Sequence, residues 1–248
     1  MKKIFSVNLC VLIIISSLPI KAQEEKLTAS QILEKVDNVV NAPEDQSLKV
    51  KIILIDEKGI EEREISMLQK GSHKRLVKFL SPASQKGIGV LSLPNDIMYL
   101  YLPAFKKTRR IASHIKNTKF AGTDFTYEDM EAIRYSEKYI PELLKKEENH
   151  FILQLKPKEG VKTDYSKLIM WVRCDNFCTS KIEYYDKGEN LYKVMTNKRI
   201  ETVGNYWISR ESEMEDLKAR HKTIMILEEI KFDSKLSDEI FTERYLSR

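Results

Sequence analysis

Tyr165-Ser166-Lys167-Leu168-Ile169-Met170-Trp171-Val172-Arg173 is the stretch whose reading decides the fold class. Leu168, Met170 and Val172 alternate with Lys167, Ile169, Trp171 and Arg173, the period of two that a strand imposes on its faces. Four more extended segments follow, at 181–185, 191–200, 206–214 and 222–232, separated by turn chemistry such as Asp186-Lys187-Gly188-Glu189-Asn190. In the last of them Ile224, Ile226, Ile230 and Phe232 alternate with Thr223, Met225, Leu227, Glu229 and Lys231.

The same pattern extends toward the N-terminus. Segments 47–56 and 60–70 flank Glu57-Lys58-Gly59, a hairpin signal. A strand at 73–80 stops at Ser81-Pro82, and 87–93 and 97–102 flank Pro94-Asn95-Asp96. Further strands are read at 107–112 and 151–156. One clear helix begins at Thr28, with Gln31 in capping-box position, and places Ile32, Leu33, Val36, Val39 and Val40 at helical spacing before Asn41-Ala42-Pro43 ends it. Residues 113–130 read as irregular, with a short helix at 126–132, while 136–146 is ambiguous and 237–241 forms a closing turn. The expectation is an α+β chain, mainly antiparallel β, with about ten to eleven strands and few helices. No repeat or linker divides it, so 23–248 is read as a single domain.

Composition agrees. The 248 residues are 42% apolar and 32% charged, enough for a sizeable core. With only 8 Gly, 7 Pro and 3 Cys the chain is neither low-complexity nor a disulfide scaffold. Residues 1–22 join a basic Met1-Lys2-Lys3 to an apolar run centred on Val11-Leu12-Ile13-Ile14-Ile15 and end in Pro19-Ile20-Lys21-Ala22, a secretory signal cleaved after Ala22. Removing Lys2, Lys3 and Lys21 from the 42 basic residues leaves 39 against 37 acidic, so the net charge of +5 falls to +2. A near-neutral exported chain argues against a nucleic-acid partner.

Export removes Cys10 and leaves Cys174 and Cys178 flanking Asp175-Asn176-Phe177, a turn between two strand patterns. In an oxidising compartment they are either a structural disulfide or a free pair, since bridging a short turn is geometrically demanding. Catalytic signatures are absent from the sequence: there is no Gly-x-Ser-x-Gly, no Gly-x-x-x-x-Gly-Lys and no His-Glu-x-x-His, and His73, His114, His150 and His221 are scattered. The reading is a protein that is not an enzyme and takes no metal or cofactor.

A sheet this wide curls, and its apolar face needs a cover. From pattern alone the hollow is filled by the chain's own side chains and the helix from Thr28. The alternative is an apolar cavity for a lipid-like ligand. Its lining is sought at Val50, Ile52, Leu54, Leu168, Met170, Val172, Ile224 and Ile226.

Residues 75–130 carry a resemblance. Phe79-Leu80-Ser81-Pro82, Lys86-Gly87 with Leu91, Tyr99-Leu100-Tyr101-Leu102-Pro103-Ala104, Lys107-Thr108-Arg109-Arg110-Ile111 and Gly122-Thr123-Asp124-Phe125-Thr126-Tyr127-Glu128-Asp129-Met130 resemble the LolA-like outer-membrane lipoprotein-sorting proteins of bacteria, in a widespread, poorly characterised branch. The resemblance implies a half-open curved sheet or barrel of the LolA/LolB type, with helices covering the concave face. It implies a periplasmic carrier that shields lipid or lipoprotein acyl chains on the way to the outer membrane, and it turns the balance toward the open cavity. Its partners would be an inner-membrane transporter and an outer-membrane acceptor.

Within the last block, Gly122 permits a tight turn and Thr126 caps a short helix. Asp124, Glu128 or Asp129 pairs with Arg109 or Arg110, so that these residues and Tyr127 position a lid. Burying an acyl chain is worth roughly 0.8 kcal/mol per CH₂, which favours a mobile cover over a sealed core. The competing function is an accessory or docking subunit of an inner-membrane lipid exporter, using Lys106-Lys107-Thr108-Arg109-Arg110 as its contact and holding no stable ligand.

Overall fold

The computed structural model describes residues 27–132 and 134–248. The signal segment 1–22 and Cys10 lie outside the described residues. Helix α1 (Ala29–Val40) leads into six strands, β1 (Asp45–Asp56), β2 (Gly59–Lys70), β3 (Lys74–Ser81), β4 (Gly89–Leu93), β5 (Ile97–Leu102) and β6 (Lys107–Arg110). After an irregular segment come α2 (Tyr135–Lys138) and seven strands: β7 (Tyr139–Lys146), β8 (His150–Pro157), β9 (Lys167–Arg173), β10 (Thr179–Tyr185), β11 (Leu191–Val203), β12 (Tyr206–Asp216) and β13 (His221–Phe232). A short α3 (Glu243–Leu246) ends the chain. The strand count is therefore 13 among the described residues, not ten to eleven. The strand that none of the segments read above anticipated is β7, from the ambiguous 136–146 segment.

All strands belong to one antiparallel sheet in the order β6-β5-β4-β3-β2-β1-β13-β12-β11-β10-β9-β8-β7. The first and last strands in sequence pair at its centre. The two edges, β6 and β7, are consecutive in sequence, so the segment between them must cross from one edge of the open, curved sheet to the other. Residues 111–132 run across the concave face and are called the strap below. This topological demand explains why they follow neither a strand nor a helix period. At 126–132 there is a single turn instead of the expected helix: Thr126 N donates to Asp129 Oδ2 at 2.7 Å and Asp129 N donates to Thr126 Oγ1 at 3.1 Å.

Helix α1 forms where its capping box is read. Thr28 N donates to Gln31 Oε1 at 2.8 Å and Gln31 N donates to Thr28 Oγ1 at 3.2 Å. Ile32, Leu33 and Val36 are fully buried against the concave face, at about 1.5–3 kcal/mol each. The cover of the sheet is thus one helix and an irregular strap, in place of several lid helices.

The convex face carries a second core. There Phe241 and Leu246 of the C-terminal segment pack on Leu76 and Leu91. Asp45, almost fully buried, ties this segment down by accepting the N–H groups of Ser234 and Leu236 at 2.8 and 2.9 Å. Gly89 makes the fit close, since a Cβ there would stand 2.7 Å from Leu246 Cδ1.

Candidate functional site: a strapped cavity on the concave face

The strap is held by side chains planted on separate strands. Gly122 turns it at φ 79°, as expected of a residue free of Cβ. Phe120 then drives into the core, with ring centroids 5.4 Å from Phe79 and 5.5 Å from Tyr127. Asp124, 1% exposed, reaches β13: Thr223 Oγ1 donates to Asp124 Oδ2 at 2.8 Å and His221 Nδ1 lies 2.5 Å from the same oxygen. Lys119 Nζ donates to Asp124 Oδ1 at 2.9 Å. Asp129 accepts from Lys193 Nζ of β11 at 2.7 Å and from the Tyr165 hydroxyl at 2.8 Å. Glu128 Oε2 accepts from Thr163 Oγ1 at 3.0 Å.

Glu131, at the far end of the strap, is held by one lysine from the strap's beginning and one from α2. Lys116 Nζ and Lys138 Nζ donate to its two carboxylate oxygens, each at 2.6 Å. Arg75 Nη1 holds the strap's backbone by donating to the carbonyls of Met130 and Glu131 at 3.3 and 2.9 Å. Helix α1 joins through buried Asp37, which accepts from the N–H groups of Tyr135 and Ser136 at 2.7 and 2.9 Å. Buried ion pairs of this kind are poor sources of net stability but costly to break from one side, so they fix register more than they add strength.

The expected pairing of the block with Arg109 or Arg110 does not occur. Both arginines are exposed on the edge strand β6, whereas the three acids point into the concave face and meet β13, β11 and the approach to β9. Lys106, Lys107, Arg109 and Arg110 line that exposed edge.

The strap does not fill the hollow. Between it and the sheet lies a cavity of about 310 Å³. Met67, Met130, Met195 and Met225 furnish flexible thioether walls, joined by Ile182 and Leu168. Tyr135, Tyr139, Tyr165 and Tyr184 add aromatic surface, and Arg75, Glu128, Asp129 and Glu131 the polar side. Burial pushes all four phenols well above their ordinary range, so they stay protonated. It also pushes the Glu128 carboxyl up to about 7, against the opposing pull of Lys138 and the Thr163 hydrogen bond. Arg75 is lowered to about 10 by burial and stays charged at neutral pH.

Of the eight residues sought as lining, the structure places only Leu168 in this cavity. Val50, Ile52, Leu54, Met170 and Val172 do face the concave side, but they are buried in the core that includes α1, Phe120 and Phe125. Ile224 and Ile226 lie on the convex face. Register decides this: Val50 opposes Leu227, Ile52 opposes Met225 and Leu54 opposes Thr223, while Ile224 and Ile226 oppose Ile53 and Lys51. Directly opposed residues share a face. A bulge explains the misreading. The ladder slips between Lys49 and Val50, leaving Glu228 over, so Ile230 shares the face of Leu48 while Leu227 and Met225 continue it.

Alternation could have offered Met225, Met195 and Met67 as candidates, but an apolar pattern on both faces concealed which set was inner. Lys193, 2% exposed, carried a usable signal, since a strand lysine beside Tyr192 in an apolar run asks for a buried acid. Cys174 and Cys178 are free thiols, so the bridge considered from the sequence is not formed. The turn separates them: Cys174 N donates to the Asn149 carbonyl at 2.9 Å, Cys178 N donates to Asn176 Oδ1 at 2.9 Å, and only Cys178 is buried.

Comparison with known proteins matches this architecture. A family model described as an uncharacterized protein covers residues 71–248, from β3 through the strap to the C-terminus. A solved structure from Vibrio parahaemolyticus, described as an outer membrane lipoprotein-sorting protein domain, is 26% identical, with a TM-score of 0.79 over 87% of this chain and 98% of that one. The chain belongs to the LolA-like family. Two further solved structures share the fold. A DUF1329 family protein from Desulfovibrio piger is 24% identical with a TM-score of 0.83, covering 88% of this chain and 97% of its own. A LolA superfamily protein from Nitrosomonas europaea is 22% identical with a TM-score of 0.76, covering 89% and 100%. No curated protein matches the LolA-like sequence.

Proposed function

We propose that this LolA-like chain is a periplasmic, non-catalytic carrier that shields lipid or lipoprotein acyl chains beneath the strap during transfer toward the outer membrane. An inner-membrane transporter would load it and an outer-membrane acceptor would unload it. The observation that carries this reading is the cavity between strap and sheet, walled by methionine, leucine, isoleucine and tyrosine. The Vibrio parahaemolyticus relative, described as a lipoprotein-sorting domain, supports it.

At about 310 Å³ the cavity lies at the small end of the ligand-pocket range of roughly 300–1,000 Å³. It takes part of a long acyl chain with the strap down and the rest only when the strap lifts. Polar anchors suit that task. Ion pairs and hydrogen bonds can exchange for water as the strap rises, and their net contribution is small compared with apolar packing.

The test is native mass spectrometry of the protein purified from its own envelope, before and after delipidation. Adducts of lipid mass that disappear on delipidation are expected. A bare mass in both samples would overturn the carrier and leave the accessory-subunit reading.

A further inference from the structure

The cavity has a second end. Thr179 and Tyr184 both line it from β10, about 16 Å apart along the strand, so the Thr179 end is distinct from the end where Tyr184 packs on Tyr165, whose hydroxyl donates to Asp129. At Thr179 the sheet parts. The ladder between β10 and β11 stops at Lys181 and Thr196, yet β11 runs on to Val203. Asn197 bridges the parting: its Nδ2 donates to the Thr179 carbonyl at 2.9 Å and its Oδ1 accepts from Ser212 Oγ at 2.7 Å.

Asn197 also lines a second hollow, of about 750 Å³, shared with His150, Arg173, Cys174, Asp175 and Arg199. The ladder to β12 skips Arg199, pairing Lys198 with Glu211 and Ile200 with Ser209, and Arg199 sits at φ 50°. Such a left-handed position re-aims a side chain that regular alternation would direct elsewhere. Asp175 is the acid in the wall of this hollow and occupies one edge of Arg173, at 2.7 and 3.0 Å. Arg199 has a looser partner in Glu211, at 3.4 Å. The hollow is thus richer in cationic donors than in carboxylates. Two polar atoms nearby, Oγ1 of Thr179 at the start of β10 and Nδ2 of Asn176 in the turn before it, are buried without a partner.

We infer that the parting between β10 and β11 is a headgroup site. The hydrocarbon tail of an amphiphile lies in the methionine-walled cavity, the chain passes Asn197, and an anionic head, phosphate or carboxylate, rests against Arg173, Arg199 and His150. The inference rests on the carrier reading and adds the ligand class, an anionic amphiphile. Apolar walls and cationic donors meet at one shared residue, which is the layout such a molecule needs.

The test titrates the mature chain with three probes by isothermal calorimetry: myristoyl lysophosphatidic acid, monomyristoylglycerol and inorganic phosphate. The first two share a tail and differ in head charge. The lysophosphatidic acid is expected to bind at least about tenfold tighter than the monoglyceride, the effect of a single charge-assisted hydrogen bond. The Arg173→Gln, Arg199→Gln double variant should bring the two to parity while leaving the monoglyceride unchanged, which also reports that the variant is folded. Equal affinity for the two lipids in the wild type overturns the headgroup site and leaves the carrier standing. Phosphate alone binding as tightly as the lysophosphatidic acid also overturns it, since the tail then contributes nothing. Failure of both lipids to bind overturns the carrier reading itself.

Discussion

Lys193 Nζ donates to Asp129 Oδ2 at 2.7 Å and to the Tyr165 hydroxyl at 2.7 Å, and so fastens the strap to β11 beneath its own backbone. Both charged side chains are deeply buried, 3% and 7% exposed. Lys193→Met is expected to strand Asp129 and cost roughly 3–5 kcal/mol, as breaking a buried pair from one side does. Asp129→Asn added to it should restore part of that loss. Thermal unfolding of the two singles and the double measures this, and strictly additive losses would dissolve the coupling.

Glu128 predicts a pH dependence. Its carboxyl titrates near 7 in the folded chain because burial disfavours the charged form, against 4.5 as the ordinary value. A folded pKa above the unfolded one means that the folded state binds the extra proton, so stability declines as pH rises between about 4.5 and 7 and then levels off. The decline should be of order 2–3 kcal/mol. Glu128→Gln removes the titration. Melting temperatures of the wild type and the variant at pH 5 and pH 8 decide the matter, and an equal pH response in both would count against it.

The face assignment has a paired test. Met225 lines the cavity, whereas Ile226 opposes Lys51 on the convex side. Met225→Glu should abolish retention of lipid in the purified protein with strand content preserved, since a carboxylate is expelled from apolar surroundings. Ile226→Glu should leave retention near the wild-type level. Mass spectrometry of extracted lipid compares them, and the reverse pattern would return the cavity to the other face.

Gly89 tests the C-terminal clasp. With Leu246 Cδ1 only 2.7 Å from where a Cβ would stand, Gly89→Ala forces α3 off the convex core. The expected cost is about 1–3 kcal/mol, typical of overpacking. Leu246→Ala in the same chain should relieve the clash, so that the double variant loses less than the sum of the singles in denaturant unfolding.

The two thiols should differ in reactivity. Cys178 is buried and its thiol is pushed up to about 11 by burial, whereas Cys174 is half-exposed at the turn. Maleimide should modify Cys174 in the folded protein and Cys178 only after denaturation. An intact mass two hydrogens short under non-reducing conditions would show a bridge instead.

Strand identity and the first helix were legible in the amino-acid sequence because both are written in local periods. Alternation marks 165–173 and 222–232, and Thr28 with Gln31 announces α1. The acids of 122–130 stood out as a block only through the resemblance to a family, since that segment follows neither period. Tertiary structure alone decided what they touch. Asp124 and its partner Thr223 lie 99 positions apart, and no local pattern encodes a contact across the sheet. Tertiary register also chose the inner face of β13. The bulge at Glu228 reverses its alternation, so Ile230 and Ile226, an even distance apart, end on opposite sides. The cavity itself is the difference between the volume under a curved sheet and the volume of α1 and the strap, and such a difference exists only once both are in place.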